Sequence, residues 1–188
     1  MIVIKLGGSL LQTDTLQSCL DHIARIFQHK KVIVVPGGGV FADRVRLAQQ
    51  QWHFDDRTAH QMALLAMQQM ALVFNARKPD FLITHTIANI GQQLGENSTL
   101  IWSPDITELD NAGIASTWDI TSDSLSAWLA KTLGADELIV VKSVKIDVDF
   151  NMYKLIEQKI VDEGFHDFIT GSSFQLKIIY AKDFLSWH

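Results

Sequence analysis

Short runs of β-branched residues alternate along this chain with longer segments of helical period, and this alternation constrains the fold more than any other feature. Strands separated by helices are typical of an α/β fold with a mainly parallel sheet. We therefore predict a three-layer α/β/α sandwich. Five runs predict its buried strands: Ile2–Leu6, Val32–Val35, Phe81–Thr84, Leu100–Trp102 and Leu138–Lys142.

The segments between these runs predict the helices. Leu16, Leu20, Ile23 and Phe27 recur at helical spacing and form one apolar face. A second helix is predicted from about Ser122 to Leu133, with Gly134 placed to end it. A third, from about Thr58 to Asn75, contains MALLAMQQMALVF and is apolar nearly all round, which indicates either a core helix or one buried between subunits.

The remaining segments are less strongly patterned. A loop is predicted at Asn75–Pro79, and Phe168–Thr170 and Lys177–Tyr180 are predicted as late strands. Four polar residues could suggest a metal site, but their spacing matches no standard zinc pattern and favours a loop that enters a helix N-terminus. They are His53, Asp55, Asp56 and His60.

Length and composition narrow the class of protein. The length of 188 residues favours one domain, 1–188. The net charge of −5 does not indicate a surface that binds nucleic acid. Cys19 is the only cysteine, so an intrachain disulfide and a cysteine-based metal site are excluded. Without a recognisable leader peptide or an apolar run of about 18 residues, the chain is predicted to be cytoplasmic and not membrane-bound.

Two glycine clusters directly follow predicted strands. Gly7, Gly8 and Ser9 follow the first strand, and Gly37, Gly38 and Gly39 follow the second. In open α/β sheets ligands bind at these carboxyl ends, where glycine lets backbone N–H groups approach a phosphate. Neither cluster is a Walker A or dinucleotide fingerprint, and a tight strand-to-helix turn would also require glycine.

Two lysines and one aspartate add charge to the same edge of the sheet. Lys5 and Lys142 lie in apolar strands, where an ammonium group is costly unless it meets an anion or reaches solvent. Asp123 begins a helix, so it either caps that helix or holds the two lysines for a phosphate ligand. Arg44 or Arg46, just after the glycines, is a candidate to grip an acceptor phosphate.

These motifs resemble the amino acid kinase superfamily, which includes acetylglutamate, uridylate, aspartate and isopentenyl phosphate kinases. The likeness rests on VIKLGGSLL (Val3–Leu11), VVPGGGVFADRVR (Val34–Arg46) and DITSDSLSAWLAKTLGADELIVVKSV (Asp119–Val144). Within the superfamily the chain is most similar to small archaeal and methylotroph kinases of methanofuran biosynthesis. That narrower likeness rests on the short length, the Ala59–Ala71 helix, the Ser116–Ser124 segment and the lysine at position 142.

The resemblance implies an ATP-dependent kinase that uses magnesium and assembles as a homodimer or larger homo-oligomer. By this likeness Lys5, Gly7, Gly8 and Ser9 hold the ATP phosphates, and the strand ending at Lys142 with the loop through Asp147 leads to the nucleotide pocket. Gly37, Gly38, Gly39 and Arg44 would bind the acceptor, bordered by Thr121 and Ser122. Lys5, Asp123 and Lys142 would be catalytic, and no protein metal ligand is implied.

One departure from the family pattern leaves the function open. Many family kinases carry a late Gly-Gly-Met…Lys segment, where this chain has Glu163–Phe168 without a lysine. Lys142 or Lys145 is a candidate replacement. The favoured acceptor is a small phosphomonoester such as aminomethylfuran methyl phosphate, which would yield a diphosphate. The alternatives are a carboxylate, amino acid or nucleoside monophosphate acceptor, or a nucleotide- or anion-binding protein without turnover.

Overall fold

A six-stranded parallel sheet forms the centre of the protein. The computed structural model describes residues 1–12, 15–95, 98–146 and 151–187. The strands, in chain order, are β1 (Ile2–Leu6), β2 (Val32–Pro36), β3 (Leu82–Thr84), β4 (Thr99–Trp102), β5 (Glu137–Lys142) and β6 (Gln175–Tyr180). They lie in the order β3-β4-β2-β1-β5-β6, and every neighbouring pair is parallel.

Helices connect the strands. A 3-10 helix, Gly8–Gln12, follows β1. The α-helices are α1 (Thr15–Ile26), α2 (Gly39–Trp52), α3 (Asp56–Arg77), α4 (Ile87–Gln93), α5 (Ile106–Asn111), α6 (Ser122–Thr132), α7 (Met152–Glu157), α8 (Phe165–Ile169) and α9 (Ala181–Phe184). Among the described residues, none of these helices is both long and apolar enough to cross a membrane.

The two faces of the sheet carry separate cores, because alternate side chains of a strand point to opposite faces. On one face Val3, Leu138 and Val140 pack with Leu125 and Leu129 of α6. The other face buries residues of α1 and α9 against Ile2, Ile4, Ile139 and Val141. Helices therefore cover both faces, as the predicted three-layer sandwich requires.

The position of β1 defines where a ligand crevice forms. β1 lies between β2 and β5, so the chain leaves β1 on one side and returns on the other. The carboxyl ends of strands at such a switch point are where open α/β sheets bind ligands. Both glycine clusters and the C-terminal end of β5 meet here.

Most of the strands and helices predicted from the sequence are confirmed, and three details are wrong. All five early strands, the late strand at Lys177–Tyr180 and the helix that begins at Ser122 are present. The strand at Phe81–Thr84 was predicted to be buried, but β3 lies at the sheet edge and exposes Leu82. Phe168–Thr170 is not a strand, because Phe165 is fully buried against α6 and the segment forms α8 instead. The predicted loop at Asn75–Pro79 begins later, since α3 continues to Arg77.

The polar segment before α3 leads into the N-terminus of that helix, as expected. The side chain of Asp55 caps α3 by accepting a hydrogen bond from Thr58 N at 2.7 Å, and Asp56 lies in the first helical turn. No group of three or more His, Cys, Asp or Glu side chains within the described ranges is arranged to hold a metal ion.

Candidate active site

A buried carboxylate bridges two lysines at the carboxyl end of the sheet. Asp123 Oδ1 lies 2.8 Å from Lys5 Nζ, and its Oδ2 lies 2.6 Å from Lys142 Nζ. All three residues are nearly inaccessible to solvent, with relative exposures of 4%, 4% and 9% for Lys5, Asp123 and Lys142. The ionised forms of these three side chains together carry one positive charge.

Strand geometry explains why these three residues meet. Lys5 points to the same face of β1 as Val3, and Lys142 to the same face of β5 as Leu138 and Val140. That face is the one covered by α6, whose first turn carries Asp123. The pairing of Lys5 with Val140 places Lys142 two residues further toward the carboxyl end.

The charges of the bridge shift the pKa values of its members. Burial alone would raise the pKa of Asp123, but the two ammonium groups outweigh burial and lower that pKa to about 2. Burial, followed by repulsion from Lys5, lowers the pKa of Lys142 to about 8, although Asp123 opposes both effects. The Asp123 carboxylate is therefore ionised near neutral pH, and the Lys142 ammonium group loses its proton at a lower pH than an ordinary lysine does.

The two glycine turns touch each other through their backbones. A Cβ atom on Gly8 would lie 2.2 Å from Gly39 N, and one on Gly37 would lie 2.7 Å from Gly8 N. Gly37 N also donates a hydrogen bond to Leu6 O at 2.9 Å, which ties the second turn to the first strand. Both glycines are thus required by close packing, whether or not their N–H groups also meet a phosphate.

A cavity of about 220 Å³ opens beside these turns. Its polar end is formed by the backbones of Gly8 and Gly37–Gly39, together with Thr121 and Ser122. The N-terminus of α2 begins at the same place, so unpaired N–H groups and the positive end of a helix dipole face this end. Leu64, Met67 and Leu125 add apolar side chains to the lining.

Aromatic and basic side chains form the rim of this cavity. The Arg46 guanidinium stacks on the Trp118 ring, 3.8 Å from its centroid, and Trp118 Nε1 donates to Gln49 Oε1 at 2.6 Å. His60 lines the cavity, and burial lowers its pKa despite a hydrogen bond to the Thr117 backbone. The structure places Arg46 here and leaves Arg44 outside the described lining, because Gly39, Asp43 and Arg46 share one helical face.

A second cavity, of about 240 Å³, lies on the other side of the first glycine turn. Ser9 belongs to the lining of both cavities, and its Oγ lies 2.9 Å from Ser143 Oγ. Tyr180 and Lys182, at the end of β6 and the start of α9, form part of the far wall. The two cavities therefore adjoin at Ser9. Lys5 and Lys142 belong to neither lining, but the residue after Lys142, Ser143, lines the second cavity.

Asp162 is a site residue that the sequence analysis missed. Its carboxylate accepts hydrogen bonds from Thr121 N at 2.9 Å, Thr121 Oγ1 at 2.6 Å, Ser124 N at 3.1 Å and Ser124 Oγ. These donors lie 38 and 41 residues earlier in the chain. No local pattern in the sequence connects Asp162 with the first turn of α6.

Other residues predicted for the site lie around the first glycine turn and beyond the end of β5. Gly7 N donates to Val141 O at 3.2 Å, so Gly7 joins the first turn to β5. Lys145 is exposed, in contrast to Lys142. Asp147, predicted near the nucleotide, lies outside the described residues. In the segment that lacks the late lysine, Gly164 N donates to Asp119 O at 2.7 Å.

Comparison with known proteins defines the class to which this site belongs. The model of the amino acid kinase family matches residues 1–158. The chain therefore belongs to the amino acid kinase family, as its motifs predicted.

One curated relative extends the comparison. A (5-(aminomethyl)furan-3-yl)methyl phosphate kinase from Methanocaldococcus jannaschii is 28% identical over 145 residues, which cover 77% of this chain. The match spans 66% of that relative, just under two thirds of its length.

Solved structures support the fold. Uridylate kinase from Archaeoglobus fulgidus superimposes with a TM-score of 0.75 at 16% identity, covering 98% of this chain and 93% of that one. Aspartate kinase from Synechocystis gives 0.72 at 15% identity, over 96% of this chain and 38% of that one. The predicted amino acid kinase fold is thereby confirmed.

Proposed function

We propose that this protein is an ATP-dependent phosphotransferase that transfers the γ-phosphoryl group to a small phosphomonoester and forms a diphosphate. The observation that carries the proposal is the Lys5–Asp123–Lys142 bridge at the strand ends beside two adjoining cavities. Phosphoryl transfer requires a donor and an acceptor in line, with positive charge around the group that moves. This arrangement supplies room for both and a fixed pair of cations.

The donor and the acceptor are assigned to different cavities. We place the acceptor in the cavity formed by Gly37–Gly39, Thr121 and Ser122, since its polar end suits an anion and its lining includes apolar side chains. We place the ATP phosphates at the cavity that includes Ser9, Ser143 and Lys182. Ser9 lines both cavities, so donor and acceptor would meet beside it, with the acceptor oxygen in line with the γ-phosphorus and the oxygen that leaves.

The reaction needs charge stabilisation more than covalent help from the protein. An oxygen of the acceptor phosphate, already ionised near neutral pH, forms a bond to the γ-phosphorus, while the bond from that phosphorus to the bridging oxygen of ADP breaks. Lys5 and Lys142 stabilise the negative charge on the peripheral oxygens, and Asp123 fixes both ammonium groups beforehand. In this proposal Lys142 takes the role of the absent late lysine, because its ammonium group, unlike exposed Lys145, contacts Asp123.

Magnesium is proposed to enter with the nucleotide. The bridging carboxylate of Asp123 is occupied by two lysines, which leaves it poorly suited to hold a metal ion. Mg²⁺ at such sites is bound largely by substrate phosphates and water. When bound, it would neutralise charge on the β- and γ-phosphates of ATP.

The acceptor is proposed to be (5-(aminomethyl)furan-3-yl)methyl phosphate or a close analogue. This compound is named as the substrate of the relative from Methanocaldococcus jannaschii. A small ring carrying one phosphate suits a cavity of about 220 Å³ that is lined by both a glycine-rich turn and apolar side chains.

The experiment that tests the function measures ADP release with one compound from each acceptor class. The panel contains the aminomethylfuran phosphate, uridylate, and the carboxylates acetylglutamate and aspartate. We expect the phosphomonoesters to stimulate ADP release, with the furan compound giving the highest kcat/KM. Stimulation by a carboxylate alone would replace the acceptor class, and ATP binding without ADP release would indicate a binding protein.

We also propose that the protein forms a homodimer or larger homo-oligomer. Leu65 and Leu72 are two helical turns apart on α3 and are 45% and 62% exposed. Leu82 on the edge strand β3 is 59% exposed. Large exposed leucines on one helix face and on a neighbouring sheet edge are typical of a surface that packs against another subunit.

A further inference from the structure

Asp162 occupies a position that controls the first turn of α6. This helix has no side-chain cap of its own, since the Thr121 side chain makes no capping hydrogen bond to the helix. Asp162 supplies the missing acceptor from the segment between α7 and α8, by binding the N–H groups of both Thr121 and Ser124. The two hydroxyl groups of these residues donate to the same carboxylate.

Four donors around one carboxylate favour its ionised form. No lysine, arginine or histidine in the described part of the chain forms an ion pair with Asp162. Burial and the nearby charge of Asp123 raise the pKa of Asp162, and the hydrogen bonds from Ser124 and Thr121 oppose that rise. All four donors belong to the helix turn that carries Asp123, so this half-buried carboxylate is directed at that turn.

A second contact secures the same turn from the same segment. Gly164 N donates to Asp119 O at 2.7 Å, and a Cβ atom on residue 164 would lie 2.9 Å from that oxygen. The segment 162–164 therefore holds the turn 119–124 at both ends. That turn contains Asp123 of the lysine bridge and also Thr121 and Ser122 of the acceptor cavity.

We infer that Asp162 is a positioning residue, which fixes the first turn of α6 so that Asp123 remains bridged between Lys5 and Lys142. This inference rests on the proposed function, because it assigns Asp162 a role in phosphoryl transfer. Asp162 itself contacts neither of the two lysines within ion-pair distance. It acts through the backbone of α6 and through its charge.

The charge of Asp162 gives the inference an electrostatic signature. Lys142 is faced by Lys5 from β1, which lowers its pKa, and by Asp123 from α6 and Asp162, which both raise it. Removing the charge at position 162 therefore lowers the pKa of Lys142 further. A simple helix cap, remote from the reaction, would affect stability and leave that pKa unchanged.

The test titrates Lys142 by NMR in protein labelled at the lysine side chains, and compares the wild type with Asp162→Asn. We expect the Lys142 midpoint, about 8 in the wild type, to fall by roughly half a unit or more. We also expect kcat to fall on the order of 10- to 100-fold, because a displaced Asp123 misplaces both lysines. The KM for ATP should change much less than kcat.

The matched control is Asp105→Asn. Asp105 caps α5 by accepting from Glu108 N at 2.8 Å, so it shares the chemistry of Asp162 without facing the site. Because Asn also caps helices, we expect the control to leave kcat and the Lys142 midpoint unchanged. If Asp162→Asn does not fold, Ser124→Ala removes one donor to Asp162 and should lower kcat several-fold.

An unchanged Lys142 midpoint in Asp162→Asn, with kcat no lower than in Asp105→Asn, would overturn the inference, as would wild-type kcat in Ser124→Ala. The titration needs no turnover, so the Lys142 midpoint can be measured even if the wild type transfers phosphate to none of the acceptors. That result would refute the proposed function and leave the coupling of Asp162 to Lys142 measurable on its own.

Discussion

At the scale of single residues, one buried carboxylate forms ion pairs with two ammonium groups. Asp123 is ionised because Lys5 and Lys142 outweigh the cost of its burial. In return, each lysine is held in a fixed position, with N–H donors left for a ligand. Two cations kept rigid before substrate arrives need little reorganisation during the reaction, which is the usual source of electrostatic catalysis.

Removing either ammonium group should therefore abolish most of the activity. We expect Lys5→Met and Lys142→Met each to lower kcat by about 100- to 1,000-fold, the loss typical of a preorganised electrostatic group. Lys145→Met is the control, since Lys145 is exposed three residues beyond Lys142. The measurement is the steady-state kcat of the three variants. A large loss of kcat in Lys145→Met, with normal kcat in Lys142→Met, would show that Lys145 and not Lys142 is the second cation.

The lowered pKa of Lys142 sets the expected pH dependence. Lys142 is a cation below its pKa of about 8 and is neutral above it. We expect kcat/KM to fall as pH rises through about 8, because that ratio reports the free enzyme. Bound phosphates favour the ammonium form, so the fall in kcat should occur at higher pH. A kcat/KM profile that stays flat to about pH 9 would contradict a catalytic Lys142.

The sequence predicted that the two lysines and Asp123 meet, and the structure brings them into contact, but the sequence could not place every residue around them. Lys5 and Lys142 stand out because each is a charged residue in an apolar strand, and the period of two puts both on one face. Arg44 and Arg46 could be separated only with the start of α2 known, since Gly39, Asp43 and Arg46 then share a face. Asp162 gave no signal, because its partners are distant in the chain.

At the scale of elements, the two glycine turns act as one unit. Gly8 and Gly39 approach so closely that any Cβ on Gly8 would overlap the backbone of Gly39. Gly39 also has φ of +54°, a conformation that other residues rarely adopt. The contact sets the separation of the strand ends and hence of the two cavities.

A methyl group at Gly8 should therefore separate donor and acceptor. We expect Gly8→Ala to reduce kcat/KM on the order of 100-fold or more, since a displacement near 1 Å is enough for such a loss. Gly91→Ala is the control, because a Cβ at that position in α4 meets no atom within 4 Å. The control should be as active as the wild type and slightly more stable in urea denaturation. Near-normal kinetics in Gly8→Ala would show that the turns are not coupled.

Elements were predictable where the hydrophobic pattern was strong. The buried strands are continuous apolar runs, which is how a parallel sheet covered on both faces is encoded. The short segment 165–169 has β-prone residues but forms α8, since burying Phe165 against α6 determines its conformation. Tertiary packing of this kind overrides propensity in short segments.

At the scale of the whole molecule, the exposed leucines predict self-association. We expect sedimentation of the purified protein to give a mass of at least twice the 21.1 kDa of one chain. Leu72→Glu should shift the protein toward the monomer by placing a charge on the exposed face of α3. Tyr153→Glu, at a position 70% exposed on α7, should leave the mass unchanged. A monomeric wild type would refute the proposed assembly.

We propose above all that the bridged lysines stabilise the transfer of a phosphoryl group from ATP to a phosphate oxygen. The most direct measurement is ³¹P NMR of wild-type protein mixed with ATP, Mg²⁺ and (5-(aminomethyl)furan-3-yl)methyl phosphate. We predict that the acceptor resonance is replaced by a pair of coupled diphosphate signals as ADP appears in equal amount, and that Lys5→Met gives neither. Release of inorganic phosphate alone, or unchanged spectra with saturating ATP, would contradict the account.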